Sequence, residues 1–185
     1  SSYVKPSEDL PLKNLGRLYL MEGELDKAEL AYKKLLEFHP DSMLAHRMLW
    51  GILEKQGRGM EAEDHIDFVL SDNSLNVIAL NQKGLILYES EKYGQAEDLF
   101  KKAIENFPSD PELHFNLGMT LQKTGRLDLA FKSFAKAAEI KFDFAMAYDR
   151  MGQILYGKSN YKGAMEMYDK AINAHSGLGE IYCDM

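Results

Sequence analysis

The feature that most restricts how this sequence can fold is an internal register of 34 residues. Alanines recur at that interval without a slip, at Ala28, Ala62, Ala96, Ala130 and Ala164. A bulky residue follows each alanine by four positions, in the column Tyr32, Ile66, Phe100, Phe134 and Tyr168. Four of the five copies carry a glycine twelve positions before the alanine, at Gly16, Gly84, Gly118 and Gly152. A period of this length indicates one structural element repeated along the chain.

The spacing inside each repeat indicates a pair of helices. The marked columns lie three and four positions apart, which places them on one face of an α-helix. Two such stripes are separated by a short turn, as at Glu22-Gly23-Glu24 and Thr124-Gly125-Arg126. A single hairpin cannot bury its apolar face alone, so neighbouring hairpins must stack. The predicted fold class is therefore all-α, a solenoid of stacked antiparallel helix hairpins.

The register also predicts how the chain is organised. Residues 1–8 are expected to form an N-terminal tail, and residues 179–185 the start of a sixth repeat or a truncated cap. The five repeats of the 9–178 domain are expected over 9–42, 43–76, 77–110, 111–144 and 145–178. Ten helices are predicted, two in each repeat, with the second helix of the second repeat over 59–71. Pro40 and Pro108 close the first and third repeats, where a helix must stop.

These residues resemble the tetratricopeptide repeat family. The shared marks are the 34-residue length, the small residue in the first helix and the alanine followed by an aromatic in the second, as in Ala28 and Tyr32. The resemblance covers residues 9 to 178. It implies a right-handed superhelical solenoid in which the first helices line a concave side that holds an extended peptide or a helix of another protein. The implied function is a protein-interaction module or scaffold.

The second repeat departs from the pattern. Trp50 stands in the glycine column, and Gly59 replaces the large residue found at that point in the other repeats. One interpretation is that the flexible turn around Gly57 lets the hairpin open around the indole. The alternative makes Trp50 a partly exposed anchor for a partner.

Composition narrows the class of partner. The net charge of −7 and pI near 5.3 argue against a nucleic-acid binder, which would carry a basic face. No apolar run approaches the ~18 residues of a membrane span, so direct membrane insertion is not expected. The single cysteine, Cys183, cannot form an intramolecular disulfide or a cysteine metal cage. This fits a reducing compartment, and a cytoplasmic location is the prediction.

The sequence offers no catalytic, metal or cofactor site. No two of the five histidines lie three or four positions apart, and none belongs to an HExxH arrangement. His46 and His114 share a column with apolar residues and are expected to be packed and hydrogen-bonded. No nucleophile has a plausible base beside it. The prediction is a chain that is not an enzyme and that needs no cofactor.

The predicted binding site is the exposed face of the first helices. Its N-terminal end is basic and its middle is apolar, which would suit an acidic partner segment with an apolar anchor. Amides along the wall could bond a peptide backbone. The predicted lining consists of Lys13, Asn14, Arg17, Arg47, Asn81, Gln82, Leu85, Tyr88, Phe115, Asn116, Met119, Arg150 and Tyr156.

Two alternatives stay open at the level of sequence. The array could be the regulatory or substrate-docking part of a larger enzyme, for example a glycosyltransferase-like protein. The amides Asn14, Gln82 and Asn116 are similar to the asparagine ladder of O-linked N-acetylglucosamine transferase arrays, although Met48 and Arg150 interrupt it. The array could instead be a self-assembling scaffold that forms a homo-oligomer through the uncovered face of its last repeat.

Overall fold

A computed structural model of the chain describes residues 9–175, and these residues fold into ten α-helices and a 3-10 turn without any strand. The helices are α1 (Asp9–Met21), α2 (Leu25–Phe38), α3 (Met43–Lys55), α4 (Glu63–Asp72), α5 (Val77–Glu89), α6 (Tyr93–Asn106), α7 (Pro111–Lys123), α8 (Leu127–Ile140), α9 (Ala145–Gly157) and α10 (Tyr161–His175). The predicted tail at 1–8 and the predicted sixth repeat at 179–185 lie outside the described residues. No helix within 9–175 is long and apolar enough to cross a membrane.

The all-α hairpin fold is confirmed. Helices pair within repeats, as α1 does with α2 and α7 with α8. Second helices also contact the first helix of the following repeat, as α2 does with α3, α6 with α7 and α8 with α9. The described residues divide after Ile86 into two compact units, called here the N-terminal unit and the C-terminal unit.

The core between two repeats is seen clearly in the N-terminal unit. Helices α2 and α3 each contribute three buried side chains to one cluster, namely Ala28, Tyr32 and Leu35 from α2 and Ala45, Leu49 and Ile52 from α3. Tyr32 is fully buried in this cluster. The first helix of a repeat therefore uses one face to cover the second helix of the repeat before it.

The glycine column exists because an aromatic ring lies directly against it. A methyl group added at each of three glycines would stand 2.6 to 2.7 Å from a ring carbon of the same hairpin, in the pairs Gly16 and Tyr32, Gly118 and Phe134, and Gly152 and Tyr168. Real side chains do not approach so closely, so any larger residue would push the two helices apart.

In the second repeat the larger residue of this contact lies on the first helix and the smaller one on the second, the reverse of the other repeats. Trp50 occupies the glycine position, and Ile66 takes the place of the ring. Both belong to one buried cluster with Leu53 and Ala62, and Trp50 is only 7% exposed. The interpretation of Trp50 as an exposed anchor is therefore wrong, because the indole supplies the volume that the other repeats take from the second helix.

The turn inside each hairpin is built in the same way in all five repeats. One residue adopts a left-handed backbone conformation, and this column consists of Gly23, Gly57, Glu91, Gly125 and Ser159. The next residue's N–H then bonds a carbonyl five positions back, as Arg58 does with Leu53 at 2.8 Å. This is the bond that closes a helix at a left-handed residue, and it explains the preference for glycine.

The second helix of the second repeat begins differently from its prediction over 59–71. Residues Gly59–Ala62 form a 3-10 turn, and α4 begins only at Glu63. Ala28, Ala96, Ala130 and Ala164 bond the carbonyl four positions back, whereas Glu61 bonds Arg58 three positions back. Gly59 carries no side chain to pack where other repeats have Leu25 or Tyr93, so the first turn is not held in α-helical geometry.

Ion pairs tie neighbouring repeats together at matching positions. In the N-terminal unit Arg58 donates to Glu29 at 2.7 Å, and in the C-terminal unit Arg126 donates to Glu97 at 2.9 Å. The Arg126 guanidinium bonds hold the pKa of the buried Glu97 at about 2 against the opposing effect of burial. Burial acts to raise the pKa of Glu29, but Lys33 and Arg58 outweigh it and the pKa is lowered.

We predict that Trp50 and Ile66 are strongly coupled. Trp50→Gly alone should lower the free energy of unfolding by about 3–5 kcal/mol through loss of the indole. Ile66→Phe alone should cost about 1–3 kcal/mol through overpacking. The double change restores the glycine–ring pair of the other repeats, so chemical denaturation should reveal a favourable coupling of about 1–3 kcal/mol. If the two changes have strictly additive effects on the free energy of unfolding, Trp50 and Ile66 do not fill a shared space.

We also predict an acid-sensitive contribution from Glu97. Its folded pKa lies below the ordinary value of 4.5, so its stabilisation is complete above pH 4.5 and is lost as the pH falls towards about 2. Glu97→Gln should destabilise the protein at pH 7 by about 1–3 kcal/mol. Between pH 4.5 and about 2 the variant should also lose less free energy of unfolding than the unmodified protein does. Urea denaturation of both proteins across this pH range tests the prediction, and parallel pH profiles would refute it.

Candidate functional site

The C-terminal unit contains a surface pocket lined by first helices of three successive repeats. Its volume is about 230 Å³, and its lining, called here the cation–tyrosine pocket, consists of Tyr88, Met119, Gln122, Lys123 and Arg150. Tyr88 comes from α5, Arg150 from α9 and the other three from α7. The residues lie here because the opposite face of each first helix is used for packing between repeats.

The pocket is cationic with an apolar floor. Arg150 is partly buried, and its only polar contact within residues 9–175 is a long bond of 3.4 Å to the side-chain oxygen of Gln153. Lys123 is exposed and makes no salt bridge within the same residues. Met119 and the Tyr88 ring supply apolar surface, and the Tyr88 ring is steadied edge-on by Tyr93 at 5.5 Å. This arrangement can accept an anionic group beside an apolar side chain.

The pocket brings together three of the residues predicted from the sequence, Tyr88, Met119 and Arg150. It also contains Lys123, which the prediction missed. A signal for it was present, because Lys123 shares its 34-residue column with the basic Lys55.

The predicted residues of the N-terminal unit lie on α1, α3 and α5. Asn14, Arg17 and Arg47 are exposed, whereas Lys13, Asn81, Gln82 and Leu85 are partly buried. The side-chain amide of Gln82 donates to Glu54 of the preceding repeat. Lys13 and Arg47 occupy equivalent positions in α1 and α3, and neither makes a salt bridge within residues 9–175. The basic character expected at this end is therefore present at the surface.

Phe115 is not available to a partner, and its place in the predicted lining must be corrected. It is 7% exposed, and its ring packs 5.3 Å from Phe134 and 5.0 Å from Phe144. Phe144 lies just before α9, at the position where Ser42 and Asp110 cap their helices with side-chain hydrogen bonds. The fifth repeat therefore lacks a side-chain cap at this position, and the Phe144 ring found there covers Phe115.

Two other predicted residues lie outside the pocket. Asn116 is buried at 7% exposure, so its side chain cannot line an open surface. Tyr156 is 61% exposed at the end of α9, where its ring meets Tyr161 edge-on at 5.5 Å. Tyr156 and Tyr161 repeat the geometry of Tyr88 and Tyr93, but the 230 Å³ pocket does not include them.

The histidines serve the packing of the repeats. Nε2 of His46 lies 3.0 Å from the carbonyl oxygen of Pro40, and Nε2 of His114 lies 2.9 Å from that of Pro108. A carbonyl only accepts, so both nitrogens carry hydrogen and each histidine fixes the end of the preceding repeat. Nδ1 of His46 also meets Nδ1 of His65 at 2.9 Å. No group of three metal-binding side chains occurs among residues 9–175.

Sequence comparison places these features in a family. Residues 52–111 and 81–145 match one sequence profile described as tetratricopeptide repeat, and residues 14–42 match a second. The chain belongs to the tetratricopeptide repeat family. The 34-residue register, the hairpins and the glycine–ring contacts are thus features of a tetratricopeptide array.

Relatives and solved structures agree on this fold. The chain is 28% identical over 165 residues to the human protein O-mannosyl-transferase TMTC1, a match that covers 87% of this chain and 19% of that protein. YrrB, described as a TPR protein with an unusual peptide-binding site, is 27% identical with a TM-score of 0.73, and the match covers 97% of this chain and 94% of YrrB. MamA from Desulfovibrio magneticus RS-1 is 18% identical with a TM-score of 0.82, covering 92% and 97%.

The burial of Phe115 leads to a prediction that separates it from Tyr88. Phe115→Ala should lower the free energy of unfolding by about 3–5 kcal/mol, because it leaves a cavity between two rings. Tyr88→Ala removes a partly exposed side chain and should cost much less. Thermal and chemical denaturation followed by circular dichroism would measure both. Equal losses for the two variants would show that Phe115 is not the core residue described.

Proposed function

We propose that this tetratricopeptide array is a protein-interaction module that binds a short acidic segment of another protein in the cation–tyrosine pocket. The observation that carries the proposal is the pair of cations, Lys123 and Arg150, beside the apolar Met119 in one pocket. An aspartate or glutamate of the partner would pair with the cations while a neighbouring leucine or aromatic side chain enters the pocket.

The dimensions and chemistry of the pocket support a peptide rather than a small cofactor. A volume of about 230 Å³ suits one or two side chains, and the wall is open to a chain running across successive first helices. Gln122 adds an amide that can both donate to and accept from a peptide backbone. The likeness to YrrB, which is described as having an unusual peptide-binding site, supports the same class of ligand.

The proposal also includes the exposed cations of the N-terminal unit. Arg17 and Arg47 are exposed and carry the same charge as the pocket. We assign them a second, weaker role in attracting acidic residues of a partner, since exposed charges chiefly raise association rates. No residue of the proposed site is assigned a catalytic role, and no cofactor is required. The proposed location is the cytoplasm, which subcellular fractionation would test.

The pocket proposal predicts which peptides are bound and which substitutions disrupt binding. Peptides selected from a random displayed library should be enriched in an acidic residue next to a leucine or aromatic residue. For a selected synthetic peptide, Tyr88→Ala should weaken binding by about 1–2 kcal/mol. Arg150→Glu should weaken it by about 1–3 kcal/mol, because it places a like charge against the peptide. Isothermal titration calorimetry would measure both.

Lys132→Glu is the matched control for Arg150→Glu. Lys132 is an exposed cation on α8 of the same unit, outside the pocket, and its reversal changes the net charge equally. If both reversals weaken binding to the same extent, the effect is one of overall charge and the pocket is not the site. Selection of peptides without acidic residues would also contradict the proposal.

A second candidate function is that the array docks substrates or regulates activity within a larger enzyme. The similarity to protein O-mannosyl-transferase TMTC1 favours it, since the match covers 87% of this chain. The chain spans about a fifth of that protein's length, so the match concerns the repeats. Sequencing the complete reading frame would separate the two functions, because only the second requires a catalytic domain in the same protein.

A further inference from the structure

Two histidine side chains, His46 of α3 and His65 of α4, meet inside the second repeat and are called here the histidine pair. Their Nδ1 atoms lie 2.9 Å apart, and their ring centroids are 5.0 Å apart. The His46 ring also stacks on Phe68 of α4, with a centroid distance of 3.8 Å and an angle of 12° between the planes. His46 further bonds the carbonyl of Pro40, so these contacts join the end of the first repeat to both helices of the second.

The contact is an addition to the repeat pattern rather than part of it. The column of Phe68 carries an exposed lysine in the other four repeats, namely Lys34, Lys102, Lys136 and Lys170. The column of His65 is filled elsewhere by Ala31, Leu99, Ser133 and Met167. His114 shares the column of His46 and makes the same kind of bond to a proline carbonyl, but it has Ser133 in place of a second histidine. The general packing of the hairpins therefore does not explain the histidine pair.

The number of ring hydrogens decides how the pair responds to acid. Nε2 of His46 donates to the Pro40 carbonyl, so Nδ1 of a neutral His46 has only a lone pair, and Nδ1 of His65 must donate the hydrogen between the rings. Nε2 of His65 can take one further proton without removing this bond. A second further proton must go to Nδ1 of His46, which places two N–H groups and two positive charges face to face. The hydrogen bond between the rings cannot form in that state.

The surroundings of the pair favour its uncharged form. Burial lowers the pKa of His65 below its ordinary value of 6.5, and the charge of His46 lowers that pKa further. Asp64, beside His65 on α4, acts in the opposite direction and does not overcome them. Arg47 and Asp41, which lie close to His46 along the chain, are both exposed. Among residues 9–175 no carboxylate forms a salt bridge with either histidine of the pair.

The charges on the neighbouring elements are held by partners of their own. On α2, Lys33 acts to lower the pKa of His65 and Glu29 acts to raise it, but these two residues are paired with each other at 2.6 Å. Glu29 also accepts from Arg58, just before the 3-10 turn, at 2.7 Å. On α5, Lys83 is paired with Asp67 of α4. None of these carboxylates is therefore free to offset the repulsion between two charged imidazoles.

We propose that the histidine pair is a pH-sensitive device that holds α4 against α3 near neutral pH and releases it in mild acid. The lowered pKa of His65 gives the direction, because a group that takes up its proton less readily when folded destabilises the fold as the pH falls. Its stabilisation is complete above pH 6.5 and is lost as the pH falls through that lowered pKa. The release involves the N-terminal unit and does not depend on peptide binding in the cation–tyrosine pocket.

The start of α4 is the segment that release would loosen most easily. Gly59 leaves the 3-10 turn before α4 without a packed side chain, and the α-helix itself begins only at Glu63. His65 lies in the first turn of α4, so its bond to His46 holds the end of the helix that is least regular. Loss of that bond therefore acts on a local segment, while the other hairpins keep their own contacts.

Trp50 provides a direct measure of the release. It is the single tryptophan of the chain, and its indole is buried on α3 in one cluster with Ala62 and Ile66 of the facing segment. Fluorescence of the 185-residue chain should be recorded from about pH 8 to about pH 5, which brackets the ordinary histidine pKa of about 6.5. We expect a reversible red shift of the emission as the pH falls, because loosening α4 exposes the indole to water. Far-UV circular dichroism should retain most of the helical signal.

His65→Leu removes the pair, and His114→Leu is its matched control. Leucine already occupies the column of His65 at Leu99 and the column of His114 at Leu80, so each helix can accept it. The red shift should be absent in His65→Leu and unchanged in His114→Leu. An unmodified chain whose emission does not shift would overturn the proposal. A shift of equal size in His65→Leu, or its loss in His114→Leu, would do the same.

NMR of the unmodified chain tests the pair without any substitution. Near neutral pH the ring nitrogen shifts should show a hydrogen on Nδ1 of His65 and none on Nδ1 of His46, whereas both should be protonated near about pH 5. Amide exchange in α4 should then accelerate relative to α8, the equivalent helix of the fourth repeat in the same molecule. Two doubly protonated rings with an unchanged ratio of α4 to α8 exchange would refute the release, and a hydrogen on both Nδ1 atoms at neutral pH would refute the bond.

Discussion

The close contact between a glycine of the first helix and an aromatic ring of the second is the constraint that sets the helix spacing in the first, fourth and fifth repeats. At Gly16, Gly118 and Gly152 the ring lies so near that a single added carbon would overlap it. The ring fixes the distance between the helices, and the fully buried Tyr32 and Phe134 then form the floor on which the next repeat packs. In the second repeat Trp50 and Ile66 fill the same space from opposite sides, which shows that the contact conserves volume rather than particular residue types.

The packing of the hairpins also decides which surfaces remain for binding. One face of a first helix packs against the preceding repeat, as Ala45, Leu49 and Ile52 of α3 pack against α2. On another face of these helices Tyr88, Met119 and Arg150 line the pocket and are only partly buried, so the core depends on them less than on the packed residues.

Electrostatics separates the structural charges from those left for a partner. The Arg58 and Arg126 guanidinium groups are held by Glu29 and Glu97, so they join neighbouring repeats and have little left to offer a ligand. Arg150 and Lys123 have no carboxylate partner among residues 9–175, and a bound acidic group would supply one. The first set recurs at matching repeat positions along the chain, whereas Lys123 and Arg150 come together in the pocket.

The sequence by itself determined the hairpins, the short turns between their helices and the helix ends to within a few residues, because these depend on local periodicity and on small residues at fixed intervals. It also located Tyr88, Met119 and Arg150 on the unpacked face of their helices. It could not determine that Phe115 is buried, because helical spacing assigns a side chain to a face without showing what covers that face. Only the tertiary structure brings Phe144 onto Phe115, and only it shows Trp50 filling the space of a missing ring. Both outcomes depend on neighbours in a second helix or an adjoining repeat, and packing against such neighbours is decided in three dimensions.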